Sequence, residues 1–194
     1  MRKIILFALL ITACISCTAQ SKKSVSILGD SYSTFQGYLQ PSTNYVWYNA
    51  GKHDNTDVTK VQQTWWHQLI SIKGLRLCVN NSFSGATICN TGYNKEDYSD
   101  RSFCTRLWNL GCPDIIFIFG GTNDGWANSP VGELMFSDWK KDDLFSVLPA
   151  VCCLLHELKA AAPKAEIVVL INTEMKDEIT DGLAAACEHE HVRA

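Results

Sequence analysis

Basic residues are scarce and scattered: 17 Lys and Arg against 20 Asp and Glu in 194 residues, a net charge of −3. Without a basic stripe, the chain has no footprint for nucleic acid. Glycine-rich phosphate loops are also missing. No G-x-G-x-x-G or Walker pattern follows the first apolar strand, so nucleotide binding lacks a cradle. The apolar stretch Ile4 to Ala13 is about half the length that a bilayer-spanning helix needs. No low-complexity linker or internal repeat divides the chain. Seven of the nine cysteines lie in the body, at Cys78, Cys89, Cys104, Cys112, Cys152, Cys153 and Cys187. Their odd number and the lack of C-x-x-C spacing among them argue against zinc and against a disulfide framework. They read as small buried residues, with room for one surface disulfide.

What is present begins with a leader. Arg2 and Lys3 before Ile4 to Ala13 give residues 1–20 the layout of a secretory signal, and Ile11-Thr12-Ala13-Cys14 resembles a lipobox with Cys14 as the lipidated residue. The expectation is export as a periplasmic or outer-membrane-anchored lipoprotein, touching a membrane only through that lipid. Cleavage near Ala19 and plain secretion is the alternative. Residues 21–194 are then one domain with a core of its own.

Four strand-like segments alternate with helical ones, the pattern of a parallel sheet with crossover helices. Val25 to Leu28, Gly74 to Asn80, Asp114 to Phe119 and Glu166 to Ile171 are the strands. The unbroken run Ile115 to Phe119 predicts a central strand buried on both faces. Helices are expected from Thr64 through Ile70, from Arg101 to Leu110, after Asp142 on the stripe Leu144, Val147, Leu148, Val151, Leu154, Leu155 and Leu158, and from Glu178 to Glu188. Pro149 implies a kink in the third, or a restart with proline in its first turn. The fold class is α/β, a flavodoxin-like three-layer α/β/α sandwich with strand order 2-1-3-4. Val192-Arg193-Ala194 reads as the beginning of a fifth edge strand. Two long loops, Thr34 to Gln63 and Ser82 to Asp100, leave the carboxyl edge of the sheet, where such folds collect ligands.

Each of the first three strands runs into residues suited to acyl transfer. The first delivers Gly29-Asp30-Ser31, the second Asn80-Asn81-Ser82-Phe83-Ser84-Gly85, and the third Gly121-Thr122-Asn123-Asp124. With strand one between strands two and three, a hydroxyl and several N–H donors converge on one place, as a tetrahedral intermediate requires. Gly29-Asp30-Ser31, then Ser84-Gly85-Ala86-Thr87, then Gly121-Thr122-Asn123-Asp124 resemble blocks one, two and three of the SGNH hydrolases, the GDSL-type esterases. That resemblance covers roughly Ser24 to Ile171. It implies an ester hydrolase without cofactor, with Ser31 as nucleophile and first oxyanion donor, Gly85 as the second donor and Asn123 as the third.

The family's fourth block, an Asp-x-x-His that supplies the base, has no counterpart here. His67 and His156 fall within helices, and His53 lies in the long loop after Ser31. Glu188-x-x-His191 is the nearest mimic, on what reads as a solvated helix end; the same reading applies to His189-x-His191 as a metal site, and no metal is expected. In the family the base follows the fifth strand. The expectation is therefore a domain C-terminally incomplete before its base, with little turnover. Aromatic residues crowd the loops that should roof the site: Tyr45, Trp47, Tyr48, Trp126 and Trp139, with Trp65 and Trp66 on the adjoining helix. Aromatic faces stack on sugar rings, so the expected substrate is an acyl ester, acetyl foremost, on carbohydrate, held by Trp47 and Trp126. A non-catalytic carbohydrate-binding surface lipoprotein is the second reading. Composition says nothing of oligomeric state.

Overall fold

A computed structural model describes residues 21–51, 55–173 and 175–194. The leader with Cys14, and His53, lie outside the described residues. Four strands form one parallel sheet: β1 (Ser24–Gly29), β2 (Arg76–Ser82), β3 (Ile115–Phe119) and β4 (Glu166–Leu170), in the order β2-β1-β3-β4. The expected order is borne out. Between them run α1 (Trp65–Lys73), α2 (Phe103–Arg106), α3 (Thr122–Trp126) and α4 (Val147–Ala161), and α5 (Asp177–His189) follows β4. The beginning of a fifth strand is a single parallel bridge, Val168 to Arg193, with the Val169 N–H donating to Arg193 O at 2.8 Å.

Side chains that alternate along the strands feed two cores. Leu28, Ile116, Ile118, Ile167 and Val169 face α2, α4 and α5, where Leu154, Leu155 and Leu158 are fully buried. Each such side chain contributes about 1.5–3 kcal/mol. Val25 and Ile27 face the other way, onto Trp66 of α1 and onto Phe35 and Val61. The β3 strand departs from expectation here. Ile116 and Ile118 are buried, but Ile115, Phe117 and Phe119 are only partly covered, because among the described residues α1 is the one α-helix on that side of the sheet, joined there by loop residues such as Phe35 and Val61.

Three boundaries also differ. Gly74 takes φ +63° and ends α1, so β2 starts two residues later, at Arg76, and continues through polar Asn81 and Ser82. Helix 101–110 is instead one turn, α2, followed by a 3₁₀ turn at Leu107–Asn109. Ser102 caps α2 from the Thr105 N–H, and Asn81 Nδ2 donates to Arg106 O at 3.2 Å, the carbonyl that a continuing α-helix would have used. Pro149 sits in the first turn of α4, where its missing N–H costs no intrahelical bond. Of the two alternatives for Pro149, the restart is the one found.

Candidate active site

Asp30 closes β1 by accepting the Tyr32 N–H at 3.0 Å, capping the 3₁₀ turn Ser31–Ser33 that carries the hydroxyl. Three further contacts hold that turn. The Asp30 N–H donates to Phe119 O at the end of β3 (3.3 Å), Asn80 Nδ2 donates to Ser33 O (2.9 Å), and Trp65 Nε1 donates to the Ser33 hydroxyl (3.1 Å). The nucleophile candidate is thus tied to β2, β3 and α1 at once. Trp65 does this work from beside Phe117 and Phe119, while Trp66 is core.

The second strand end is held by buried amides. Asn44 Nδ2 donates to Asn81 Oδ1 and Ser82 O, at 3.1 and 3.0 Å. Gly85 follows with φ +82° and open space where a Cβ would stand, a backbone that side-chain-bearing residues rarely adopt. Asn123, in the first turn of α3, donates through Nδ2 to Ala86 O at 3.0 Å. Its neighbour Asp124 accepts the N–H groups of Ile88 (2.9 Å) and Cys89 (3.1 Å), so the loop after Gly85 and α3 form one body.

Ser31, Gly85 and Asn123 line one cavity of about 450 Å³ together with Tyr32, Trp47, Tyr48, Ser84, Tyr93 and Trp126. Among the described residues, neither the Ser31 N–H nor the Gly85 N–H has an acceptor. Asn123 keeps a second Nδ2 hydrogen beyond the one given to Ala86. Three donors and a hydroxyl on residues of one cavity are what acyl transfer asks for. The GDSL-like lipase/acylhydrolase family matches residues 23–194. The chain belongs to that family.

Similarity in structure runs the same way. A Bacteroides ovatus protein assigned as a GDSL-like lipase is 57% identical, with a TM-score of 0.88 over 90% of this chain and 84% of that one. A Bacteroides uniformis counterpart is 51% identical, at 0.87 over 90% and 82%. A family two carbohydrate esterase from Clostridium thermocellum, solved with cellohexaose, shares the fold at 15% identity and a TM-score of 0.52, over 87% of this chain and 51% of that one. No curated protein matches the chain. This GDSL hydrolase is an ester hydrolase of the SGNH type.

The four described histidines, His67, His156, His189 and His191, do not join the cluster. No described residue lining the cavity is a histidine. His67 lies on α1, its Nδ1 3.4 Å from the Ser71 hydroxyl, and His189 stacks on Phe136 at 3.7 Å. His156 pairs with Glu190 at 3.5 Å. His191 shares a cavity with Glu166 and Ile167, the first residues of β4, which puts it at the edge of the sheet opposite Ser31. Glu190 is buried and also meets Lys159 at 3.3 Å, so the supposed solvated helix end is partly a packed one. Trp139 is displaced as well: it packs beside His156 at 5.2 Å and bonds Met135 O, away from the cleft. The seven described cysteines are all free thiols.

Sequence reasoning passed over three residues of this GDSL hydrolase. One is Asp124, described above; another is Tyr93, whose hydroxyl donates to Asn123 Oδ1 at 2.8 Å. The third is Arg106, fully enclosed, which donates to Gly29 O (3.2 Å), Arg101 O (2.7 Å) and Asn81 O. A signal for Arg106 existed: it stands on the apolar stripe of Phe103 and Leu110, where an unneeded charge is costly. Burial pulls its guanidinium down to about 9, partly offset by Asp30, so it stays charged at neutral pH.

Burial pushes the Asp30 carboxyl up to about 7, with Asp124 adding to the rise and the Tyr32 N–H and Arg106 opposing it. Burial likewise raises Asp124 to about 6, against the pull of the Ile88 and Cys89 N–H groups. Between about pH 4 and about pH 7 the folded chain therefore holds protons that the unfolded chain has released. Stability from these groups is complete below that window and is lost as pH rises through it. For Asp30 the displacement corresponds to about 4 kcal/mol. Asp30→Asn is expected to flatten the fall, read as urea-unfolding free energies at about pH 4.5 and about pH 8. Parallel pH profiles for variant and wild type would overturn the assignment.

Proposed function

We propose that this GDSL hydrolase removes acyl groups, acetyl foremost, from esterified carbohydrate. The Ser31 hydroxyl gives up its proton and attacks the ester carbonyl, the N–H groups of Ser31 and Gly85 with Nδ2 of Asn123 receive the oxygen as it becomes an anion, the sugar leaves as the protonated alcohol, and water then cleaves the acyl-serine to acid and free hydroxyl. The carrying observation is that the Ser31 and Gly85 N–H groups have no acceptor among the described residues, that Asn123 has a second Nδ2 hydrogen beyond the one given to Ala86 O, and that all three residues share a cavity with two exposed indoles, Trp47 at 40% and Trp126 at 57% exposure. A sugar ring stacked between them would present an ester to Ser31. The lipid at Cys14 and export through residues 1–20 belong to the same reading, which puts the enzyme outside the cytoplasm among extracellular glycans.

The test is acetate release from a panel of O-acetylated oligosaccharides, set against 4-nitrophenyl acetate. A higher kcat/KM on a glycan ester is expected. No acetate from any glycan would overturn the substrate class, and tryptophan quenching without release would favour the non-catalytic binder. Trp126→Ala is expected to raise KM for the glycan ester about 3- to 10-fold, the equivalent of ~0.5–1.5 kcal/mol of stacking. KM for the aryl ester should stay put. An equal change on both substrates would remove the indole from sugar recognition.

A further inference from the structure

Tyr93 lies in the long loop between β2 and α2, outside all three motif blocks, yet it lines the same cavity as Ser31, Gly85 and Asn123. Its hydroxyl donates to Asn123 Oδ1 at 2.8 Å, while Asn123 Nδ2 donates to Ala86 O at 3.0 Å. A carboxamide has one oxygen that only accepts and one nitrogen with two hydrogens. With a single contact, through Nδ2, the amide plane can swing about that bond. A second contact at Oδ1 fixes the plane, and with it the direction of the remaining N–H. That hydrogen is the one left for the cavity.

The loop is built to hold this tyrosine in place. Thr91 and Asp97 form an antiparallel bridge, the Gly92 N–H donates to Glu96 O at 2.9 Å, and the Glu96 N–H donates to Tyr93 O at 3.1 Å. Immediately after Tyr93, Asn94 and Lys95 take φ +56° and +62°. Two successive non-glycine residues in the left-handed region persist only where their surroundings over-determine them, and such strain gathers at functional sites. Burial, with Tyr98, Asp30 and Asp124 nearby, pushes the Tyr93 hydroxyl upward, so it remains a donor at neutral pH.

We propose that Tyr93 is a positioning residue for ester hydrolysis: its hydroxyl fixes the Asn123 amide so that the second Nδ2 hydrogen points at the developing oxyanion. The inference rests on the reading of Asn123 as an oxyanion donor. Tyr93 acts through Asn123, and this separates it from a residue that touches the substrate or only packs the loop. Misdirecting a donor loses part of what deleting it loses.

The experiment compares wild type, Tyr93→Phe, Asn123→Ala and the double variant, each as the full chain. One readout is the second-order rate of Ser31 labelling by a fluorophosphonate, with kcat and KM on 4-nitrophenyl acetate; the other is the NMR signal pair of the Asn123 side-chain amide, assigned by its loss in Asn123→Ala. Tyr93→Phe is expected to slow labelling about 10-fold and to lower kcat with KM unchanged. Asn123→Ala should slow labelling about 10²-fold, and the double variant should match it, since Tyr93 then has nothing to orient. The Asn123 amide signals should move in Tyr93→Phe. Wild-type labelling by Tyr93→Phe, a full additional loss in the double variant, or unmoved amide signals would each overturn the proposal. If Asn123→Ala itself labels like wild type, the donor reading fails, and moved amide signals would still show that Tyr93 sets the amide's orientation. A wild-type chain inert to the probe leaves the amide signals to decide.

Discussion

Ser31→Ala is expected to abolish labelling of the protein by a fluorophosphonate and to lower ester hydrolysis about 10³-fold or more. Oγ is the only heavy atom removed. Asp30 still caps the turn through the Tyr32 N–H, and Thr34 still donates to the Ser31 carbonyl from its N–H (3.1 Å) and its hydroxyl (2.8 Å). Thermal stability and tryptophan quenching by glycans should therefore match wild type. Ser84 lines the same cavity and is the internal control. Labelling or turnover that survives in Ser31→Ala, and disappears in Ser84→Ala, would move the nucleophile to the second strand end and undo the assignment of the first.

Arg106→Met is expected to cost about 3–5 kcal/mol of folding free energy. The side chain fills similar volume, so packing against Phe103, whose ring lies 4.7 Å from the guanidinium, changes little. What is lost is the donor set for Asn81 O and Arg101 O, and one of the two donors to Gly29 O, which keeps the Phe83 N–H at 3.1 Å. Each buried carbonyl left without a donor costs about 1–3 kcal/mol. Replacing a buried ion pair with apolar residues is often neutral, because both charges leave together. That escape is closed here. The acceptors are backbone, and no carboxylate stands within ion-pair distance of Arg106 among the described residues. Removing the guanidinium also withdraws the charge that holds the Asp30 carboxyl down. Urea unfolding at neutral pH measures the loss. A change under about 1 kcal/mol would show that the strand ends find other donors.

How much of this was legible in the sequence depends on the range of the interaction. Runs such as Ile115 to Phe119 announce a strand through their own side chains, and the strand-end motifs announce the cleft because a turn after a strand is local. β2 was harder. Past Asn80, the expected end of the strand, Asn81 and Ser82 look like loop residues, yet they extend the strand because Asn44 and the carbonyls of Arg106 and Asn109 lie around them. Tyr93 and Asn123 are thirty positions apart, and nothing near either one predicts their hydrogen bond. Arg106 was readable as a charge on an apolar stripe, though not which carbonyls it serves. The partial cover over β3 escaped for a similar reason: an apolar run reports what a strand can bury, and α1 decides what it does bury.

The two bonds from Asp124 to the Ile88 and Cys89 N–H groups set a limit on how this family member can diverge. They span 36 and 35 positions of chain and leave no slack between Gly85 and Cys89. An inserted or deleted residue there would shift one oxyanion donor relative to another, so that stretch behaves as a fixed-length spacer. The turn that follows, from Gly92 to Glu96, is held to length for the same reason, because it carries the Tyr93 hydroxyl to Asn123 Oδ1 at 2.8 Å.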